Sequence, residues 1–348
     1  MSRLVLVDGN AIVHRAYHAL PPLSKKDGKL TNAVYGFFAM VLKIVSDLAP
    51  EALIVCFDRE APTFRKQMYV GYQATRPKME DELSYQFEVI HDVLEKAKIC
   101  VFELDGYEAD DLIGTLARQA TQSSVFSSQL SDKSRSVVGL PVQANRKLVN
   151  KNPKTENGDP ITEVIILTGD RDMLQLVNHN VLVLAPIVGV TKMILFDTDK
   201  VKEKYGLEPH QIVDYKALVG DSSDNYPGVG GIGPKTAADL LNKFGTLESV
   251  YKNLGDINPK TAEKLAKDAE QSALAKKLAT IDVNAPIHLK FSDCSLAKLD
   301  RAALLTSFQD LTFNSLINRF KLDQKPSVAK IKTKEKNNQS SEDQLGLL

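Results

Sequence analysis

The chain has 348 residues, with 44 Lys+Arg against 44 Asp+Glu, 43% hydrophobic and 25% charged content. Low hydrophobicity with a large charge imbalance would mark disorder, and this composition has neither, so a soluble globular protein of two domains is expected at roughly 100–200 residues per domain. A net charge of zero does not exclude a nucleic-acid partner, because opposite signs can be segregated over a surface.

Taken in chain order, Leu4-Val5-Leu6-Val7 reads as a buried strand ending at Asp8-Gly9-Asn10. The same apolar start is broken by Asp8 with no small-residue cleavage site after it, which argues against a secretory signal. Residues 33–48 carry a helical pattern, and Lys43 interrupts its apolar run far short of the roughly 20 residues a membrane span needs. Residues 52–57 form a second strand ending at Asp58, and residues 84–98 and 109–119 are helical. Residues 163–168 form a third strand ending at Gly169-Asp170, and residues 181–184 a fourth. Alternating strands and helices predict an α/β fold with a largely parallel sheet flanked by helices, whose ligands lie beyond the carboxyl ends of the strands. From Asp199 the pattern changes to short helices over 209–219, 235–244, 247–254 and 259–281. Residues 121–162, rich in Ser, Asn, Lys and Pro, read as a surface insert, with Arg135, Arg146, Lys147, Lys151 and Lys154 available to DNA flanks as the functional alternative. Residues 323–348 read as a polar tail. Cys56, Cys100 and Cys294 lack the close spacing of a zinc or redox motif, so reduced thiols in a cytoplasm are expected.

The strand ends carry acids. Asp170 and Asp172 flank Arg171, Glu108 and Asp111 share a face at the start of a helix with Asp110 between them, and Asp221 and Asp224 repeat the three-residue spacing. One such residue caps a turn or serves a helix dipole, but four clusters exceed that need. Carboxylates gathered in this number require cations, and an all-oxygen ligand set favours Mg²⁺ or Mn²⁺. The chemistry that suits them is two-metal phosphodiester hydrolysis, which needs no general-base histidine; the six His are scattered and none is assigned a role.

Six strings occur in order: Leu6-Val7-Asp8-Gly9-Asn10, Arg15-Ala16-Tyr17-His18-Ala19, Phe57-Asp58 with Thr63-Phe64-Arg65, Gly106-Tyr107-Glu108-Ala109-Asp110-Asp111, Thr168-Gly169-Asp170-Arg171-Asp172-Met173, and Gly220-Asp221-Ser222-Ser223-Asp224-Asn225. Over about residues 3–320 the chain resembles the 5′-nuclease domain of bacterial DNA polymerase I, in the flap endonuclease superfamily. The resemblance implies 5′–3′ exonuclease and structure-specific flap endonuclease activity on DNA. It places metal carboxylates at Asp8, Asp58, Glu108, Asp110, Asp111, Asp170, Asp172, Asp221 and Asp224, with Glu108, Asp110, Asp111 and Asp170 nearest two Mg²⁺ ions, for which Mn²⁺ can substitute.

Gly228-Val229-Gly230-Gly231-Ile232-Gly233-Pro234-Lys235-Thr236 opens a helix, and glycines and helix N–H groups suit a phosphate. No strand precedes it, against a dinucleotide site; it resembles the helix–hairpin–helix (H3TH) element of the family, which implies DNA contacts at Gly228, Gly231, Gly233, Lys235 and Thr236 and a bridging K⁺. Between residues 59 and 79, Arg59, Arg65, Lys66, Arg76 and Lys78 alternate with Phe64, Tyr69 and Tyr72, a mixture suited to a single-stranded 5′ end. The resemblance makes this an arch, with Arg76 near the scissile phosphate, Tyr72 near a flanking base, Lys66 supporting catalysis, and Arg65 and Lys78 on DNA. Gln73 stands where close relatives place a Lys, and a neutral amide supplies no charge to the transition state. Gln344-Leu345-Gly346-Leu347-Leu348 resembles peptides that dock on sliding clamps, which implies clamp contacts at Gln344, Leu345, Leu347 and Leu348.

The expected organisation is an α/β nuclease core at 1–198, with an arch at 59–85 and the insert at 121–162, then a helical H3TH region at 199–322 and a tail at 323–348. The expected function is a stand-alone, monomeric, cytoplasmic, nucleoid-associated 5′-nuclease that removes primers and flaps in replication and repair, with no polymerase segment following. The alternative is a catalytically weak junction-binding protein recruited by a clamp.

Overall fold

In the computed structural model, which describes residues 2–25, 27–131, 161 and 163–322, the first apolar run becomes β1 (Arg3–Asp8). It is followed by α1 (Gly9–Ala19), α2 (Asn32–Leu48), β2 (Ala52–Cys56), the single turn α3 (Phe64–Met68), α4 (Asp81–Lys96), β3 (Cys100–Phe102) and α5 (Ala109–Ser131). Then come β4 (Glu163–Leu167), β5 (Val181–Val188), β6 (Lys192–Phe196), α6 (Thr198–Tyr205) and α7 (Ile212–Val219). A short ladder of β7 (Gly220–Asp221) and β8 (Tyr226–Pro227) leads to α8 (Pro234–Phe244), α9 (Leu247–Lys252), α10 (Pro259–Lys267), α11 (Ala269–Ala279), α12 (Arg301–Asp310) and α13 (Asn314–Leu322).

The main sheet has the order β3-β2-β1-β4-β5-β6, parallel from β3 to β5, with β6 antiparallel on β5. Side chains alternate across a strand, so Val5 and Val7 enter a core with α1, α2 and α4, while Leu4 and Leu6 enter a second core with α5. Both faces are covered, which is why β1 is apolar throughout. The strand order reverses between β1 and β4, and the crevice beyond their carboxyl ends is where such sheets place ligands. A third apolar cluster joins α7, α8, α9 and α10 through Leu218, Ile232, Leu240, Leu241, Val250 and Leu265.

Several expectations change. Asp8 ends a strand and also caps an unforeseen helix, α1, by accepting the Ala11 N–H at 2.9 Å. β3 is three residues long and β6 is a half-exposed edge, too weak in period to be read beforehand. The helix expected over 259–281 divides at Asp268 into α10 and α11. α5 runs to Ser131, so the first part of the expected insert is helical. The rest of the insert, the tail and the clamp peptide at Gln344, Leu345, Leu347 and Leu348 lie outside the described residues. The division at 198/199 does not describe the packing: Leu304, Phe308, Phe313 and Phe320 of the C-terminal segment pack into the α2/α4 core, and Ile281, Leu289 and Phe291 into the α5 core.

The expectation of three reduced thiols is also corrected. Cys100 and Cys294 form a disulfide across 194 residues, because the short β3 leaves the lower half of β2 free and Cys294-Ser295 fills it, with Leu53 N–H donating to Cys294 O at 3.3 Å. Cys56 is a buried thiol. Among the described residues no helix is long and apolar enough to cross a membrane.

Candidate metal centre and nucleic-acid interface

Three strand ends and one helix start meet at the crevice. Asp8 is held by the Thr168 hydroxyl, which donates to Oδ2 at 2.6 Å, while Thr168 in turn accepts the Asp170 N–H at 2.9 Å. Asp170 Oδ1 accepts the Asp172 N–H at 2.8 Å, so one turn after β4 orients three polar groups. Asp58 follows β2; its N–H donates to Asn10 and its Oδ1 accepts the Ala109 N–H at 2.7 Å, tying it to the start of α5. Glu108 accepts from the Thr63 and Tyr72 hydroxyls, both at 3.0 Å. Asp110 accepts no hydrogen bond from the described residues. Asp8, Asp58, Glu108, Asp110, Asp170 and Asp224 line one cleft of about 160 Å³ with Asn10, His14, Tyr72, Gln73 and Arg76.

This arrangement is electrostatically unfavourable without a cation. Loss of solvent, then repulsion by Asp58 and Asp170, pushes Asp8 up to about 7 against the hydrogen bonds it accepts. Burial, against the pull of Arg65, pushes Glu108 up to about 6. Burial raises Asp58 and Asp170 and raises Asp110 well above the carboxylate range, the last with repulsion from Asp170, Asp8, Glu108 and Asp58. A divalent cation removes these costs, and the donor set is entirely oxygen, so these residues fit a hard metal ion. Beside them, one carboxylate oxygen from each of Asp172, Asp221 and Asp224 lies within 4.8 Å of the others. Lys216 pairs with both Asp172 and Asp221; although burial opposes it, that ammonium holds Asp221 below its ordinary value.

Asp111 is separated from this group. It has no exposed surface, both its oxygens receive the Arg65 guanidinium at 2.8 Å, and Asp282 and Glu108 N–H groups complete it. Its expected place beside a metal is therefore corrected: Arg65 is already its cation. Arg65, 2% exposed, likewise has no donor left for DNA, the role expected of it, since its remaining N–H groups reach Leu278 O, Thr280 O and Glu108. Tyr72 is buried with its ring stacked on Tyr226 at 6.4 Å, so its hydroxyl rather than its face meets the cleft, and the contact expected with a flanking base is not offered. Lys66, Arg76 and Lys78 are exposed, and Arg76 lines the cleft. Arg76 donates to Asp224 Oδ1 at 2.7 Å, and Gln73, at a φ of 55°, reaches the same oxygen at 3.2 Å. Sequence reading missed Thr168, Asn10, His14 and Lys216. The first two lie inside the matched strings, whereas Lys216 resembles any helix lysine.

The glycine-rich hairpin stands between α7 and α8. Gly228 crosses Gly220 so closely that a Cβ there would meet backbone at 2.3 Å, and Gly231 has a φ of 76°. Gly233 caps α8 with Pro234 in its first turn, leaving Lys235 exposed and Thr236 half-buried at the helix N-terminus. Gly228 O accepts from Gln271, Gly231 O from Lys264 at 3.0 Å, and Gly230 N–H donates to Asp268 at 2.7 Å. Two of the hairpin carbonyls thus each already accept one hydrogen bond.

A sheet crevice lined by carboxylates under a basic rim defines a metal-dependent nuclease. Residues 3–136 match the 5′-3′ exonuclease N-terminal resolvase-like domain, and residues 207–302 match the 5′-3′ exonuclease C-terminal SAM fold. The chain is 35% identical over 317 residues to the 5′-3′ exonuclease of Aquifex aeolicus, covering 91% of this chain and 94% of that one. It is 36% identical over 318 residues to DNA polymerase I of Bacillus subtilis, covering 91% of this chain and 32% of that protein, so it spans about a third of that relative. The chain belongs to the 5′-3′ exonuclease family. Its fold is shared with the T5 D15 protein co-crystallised with metal ions, at 17% identity and TM-score 0.57 over 92% of this chain and 98% of that one. It is also shared with the catalytic core of Rad2 in complex with DNA substrate, at 13% identity and TM-score 0.51 over 92% of each chain.

Proposed function

We propose that this nuclease hydrolyses DNA at 5′ ends and at the base of 5′ flaps, with two Mg²⁺ ions, Mn²⁺ substituting, during primer and flap removal in replication and repair. The observation that carries the reading is the cleft itself, five carboxylates of raised proton affinity facing a basic rim. Asp172, Asp221 and Asp224, whose oxygens converge, would hold one ion, and the other would draw its ligands from Asp8, Asp58, Glu108, Asp110 and Asp170 in the cleft. Divalent ions there would neutralise the carboxylates, lower the pKa of the attacking water and stabilise charge on the phosphate.

The chain's own groups do the positioning. Thr168 and the Ala11 N–H fix Asp8, and the Tyr72 and Thr63 hydroxyls fix Glu108. Arg76, half-exposed at the rim, exchanges Asp224 for the scissile phosphate, with Lys66 nearby and Lys78 on the incoming strand. Gln73 contributes an amide to Asp224 and no charge. The hairpin at Gly228, Gly231 and Gly233, with Lys235 and Thr236 at the start of α8, takes duplex phosphate as an H3TH element. K⁺ bridging the hairpin and a phosphate would come close to the Lys264 ammonium on Gly231 O, a like charge, and no step is assigned to it.

The test is cleavage of a 5′-labelled double-flap DNA with Mg²⁺, with Mn²⁺ and with EDTA. Metal-dependent cuts at the junction are expected; tight flap binding with no cleavage under either metal would favour the clamp-recruited binding protein instead.

A pH dependence follows. The cleft carboxylates bind protons more tightly in the folded state, so their contribution to metal-free stability is present below about pH 4 and lost as pH rises through about 6–7. Saturating Mg²⁺ should therefore raise the melting temperature strongly at pH 8 and little at pH 5, with proton release on binding near pH 6.5. Calorimetry in buffers of different ionisation enthalpy reads this directly, and metal binding that releases no protons at that pH would contradict it.

A further inference from the structure

We propose that the Lys216 ammonium occupies the second divalent-cation subsite of the metal-free protein and is the group that a second metal ion must displace. The inference rests on the metal-centre reading above and adds to it a residue that forms ion pairs in one subsite only.

Lys216 reaches from α7 between two acids, pairing with Asp172 Oδ1 and Asp221 Oδ2. Those acids, with Asp224, are the three whose oxygens converge within 4.8 Å. The convergence is a property of the oxygens alone, and the presence of a cation among them is a separate observation. A third concerns Asp172 Oδ1, which is buried and accepts no hydrogen bond, so the ammonium is its sole compensation among the described residues. Lys216 has only 15% of its side chain exposed, unlike a solvated helix lysine. Asp221 is oriented independently, because its other oxygen accepts from Ser223 N–H at 2.7 Å and from the Ser223 hydroxyl at 2.5 Å.

The neighbouring subsite differs. No Lys or Arg forms an ion pair with Asp8, Asp58, Asp110 or Asp170 among the described residues, and Lys216 acts on Asp170, as Arg76 and Lys66 do on Asp58, only through space, so a cation arriving there has no ion pair to break. At Asp172 and Asp221 a divalent ion must first break two ion pairs and leave a mostly buried ammonium without a partner, which is costly, whereas the Arg76 guanidinium on Asp224 is half exposed and is released to water more easily. The two subsites should therefore fill in sequence, the open one first. A phosphodiester entering the cleft offers the displaced ammonium a new partner, so substrate and the second ion reinforce each other's binding.

The experiment is a Mn²⁺ titration without DNA, with free Mn²⁺ read by electron paramagnetic resonance, on the wild-type chain, Lys216→Met and Lys216→Arg. The wild-type chain should show one tight and one weak site. Lys216→Met should tighten the weak site tenfold or more and move the tight one by less than twofold, whereas Lys216→Arg, which keeps the charge, should leave the second site weak. A lysine serving only to hold the fold would lower the melting temperature without tightening any site. Because removing the ammonium could destabilise the cluster, a second measurement uses the wild-type chain alone. Lysine acetylation read by mass spectrometry should leave Lys216 protected without metal and with one ion bound, and should modify it as the second ion binds. An unchanged or weaker second site in a folded Lys216→Met, or constant acetylation of Lys216 across the titration, overturns the proposal while the metal centre stands. Absence of Mn²⁺ binding by every variant overturns the metal-centre reading and this proposal together.

Discussion

Asp110→Asn is expected to reduce metal-dependent cleavage of a 5′-flap DNA by about 10³-fold, at the upper end of what one preorganised charged group supplies at a reaction centre, and at the same time to make the metal-free protein more stable at pH 8. The two effects share a cause. Asp110 accepts no hydrogen bond from the described residues, and burial together with Asp170, Asp8, Glu108 and Asp58 raises its proton affinity well above the ordinary range. Its charge is thus useful only when a cation is present and is a liability otherwise. Asparagine keeps the shape and removes the repulsion, and relief of about 1 kcal/mol would raise the melting temperature by roughly 1–2 °C in a chain of this size. The sign follows from linkage: Asp110 in the wild-type chain is protonated at low pH, so the gain should vanish near pH 4 and grow as pH rises. Melting curves at pH 4 and pH 8 beside the cleavage assay decide it. An active Asp110→Asn, or one less stable than the parent at pH 8, would show that the residue holds the fold instead of a metal.

The second large effect concerns stability alone. Arg65→Met should cost about 3–5 kcal/mol, the usual consequence of stripping the partner from a buried charge. All five Arg65 N–H donors are engaged: Nε with Leu278 O, one terminal nitrogen with Asp111 and Glu108, the other with Asp111 and Thr280 O. Through them α3, the start of α5 and the end of α11 are held at one point. Asp111, with no exposed surface, would be left a carboxylate supported only by backbone N–H groups. Arg65→Lys should rescue little, because an ammonium cannot reproduce the two-toothed contact. Urea unfolding of Arg65→Met, Asp111→Leu and the double variant measures the coupling, and the double variant should be more stable than Arg65→Met alone. A loss below about 1 kcal/mol, within the range of exposed ion pairs, would mean that the pair is not closed off from water.

Arg65 and Asp111 also show where sequence reading stops. Both fall within matched strings, Asp111 beside Asp110, which does reach the cleft, and a string of letters does not say which of two neighbouring charges faces the cleft and which is buried in an ion pair. The same limit hid Lys216, one lysine among many until α7 delivers it to Asp172 and Asp221. It also hid Cys100 and Cys294, which have no spacing to read at a separation of 194 residues.

The alternation of apolar runs and helical periods in the sequence determined the parallel sheet, because a strand covered on both faces must be apolar throughout and each crossover must supply a helix. The acids at the ends of those runs determined the chemistry, since a strand end in such a sheet is already at the crevice. Which acid keeps its charge free for a metal, which is neutralised by Arg65, and which is shared with Lys216 was decided only by the tertiary structure. A carboxylate's behaviour is set by the solvent it loses and the cation placed beside it, and both come from residues far away along the chain.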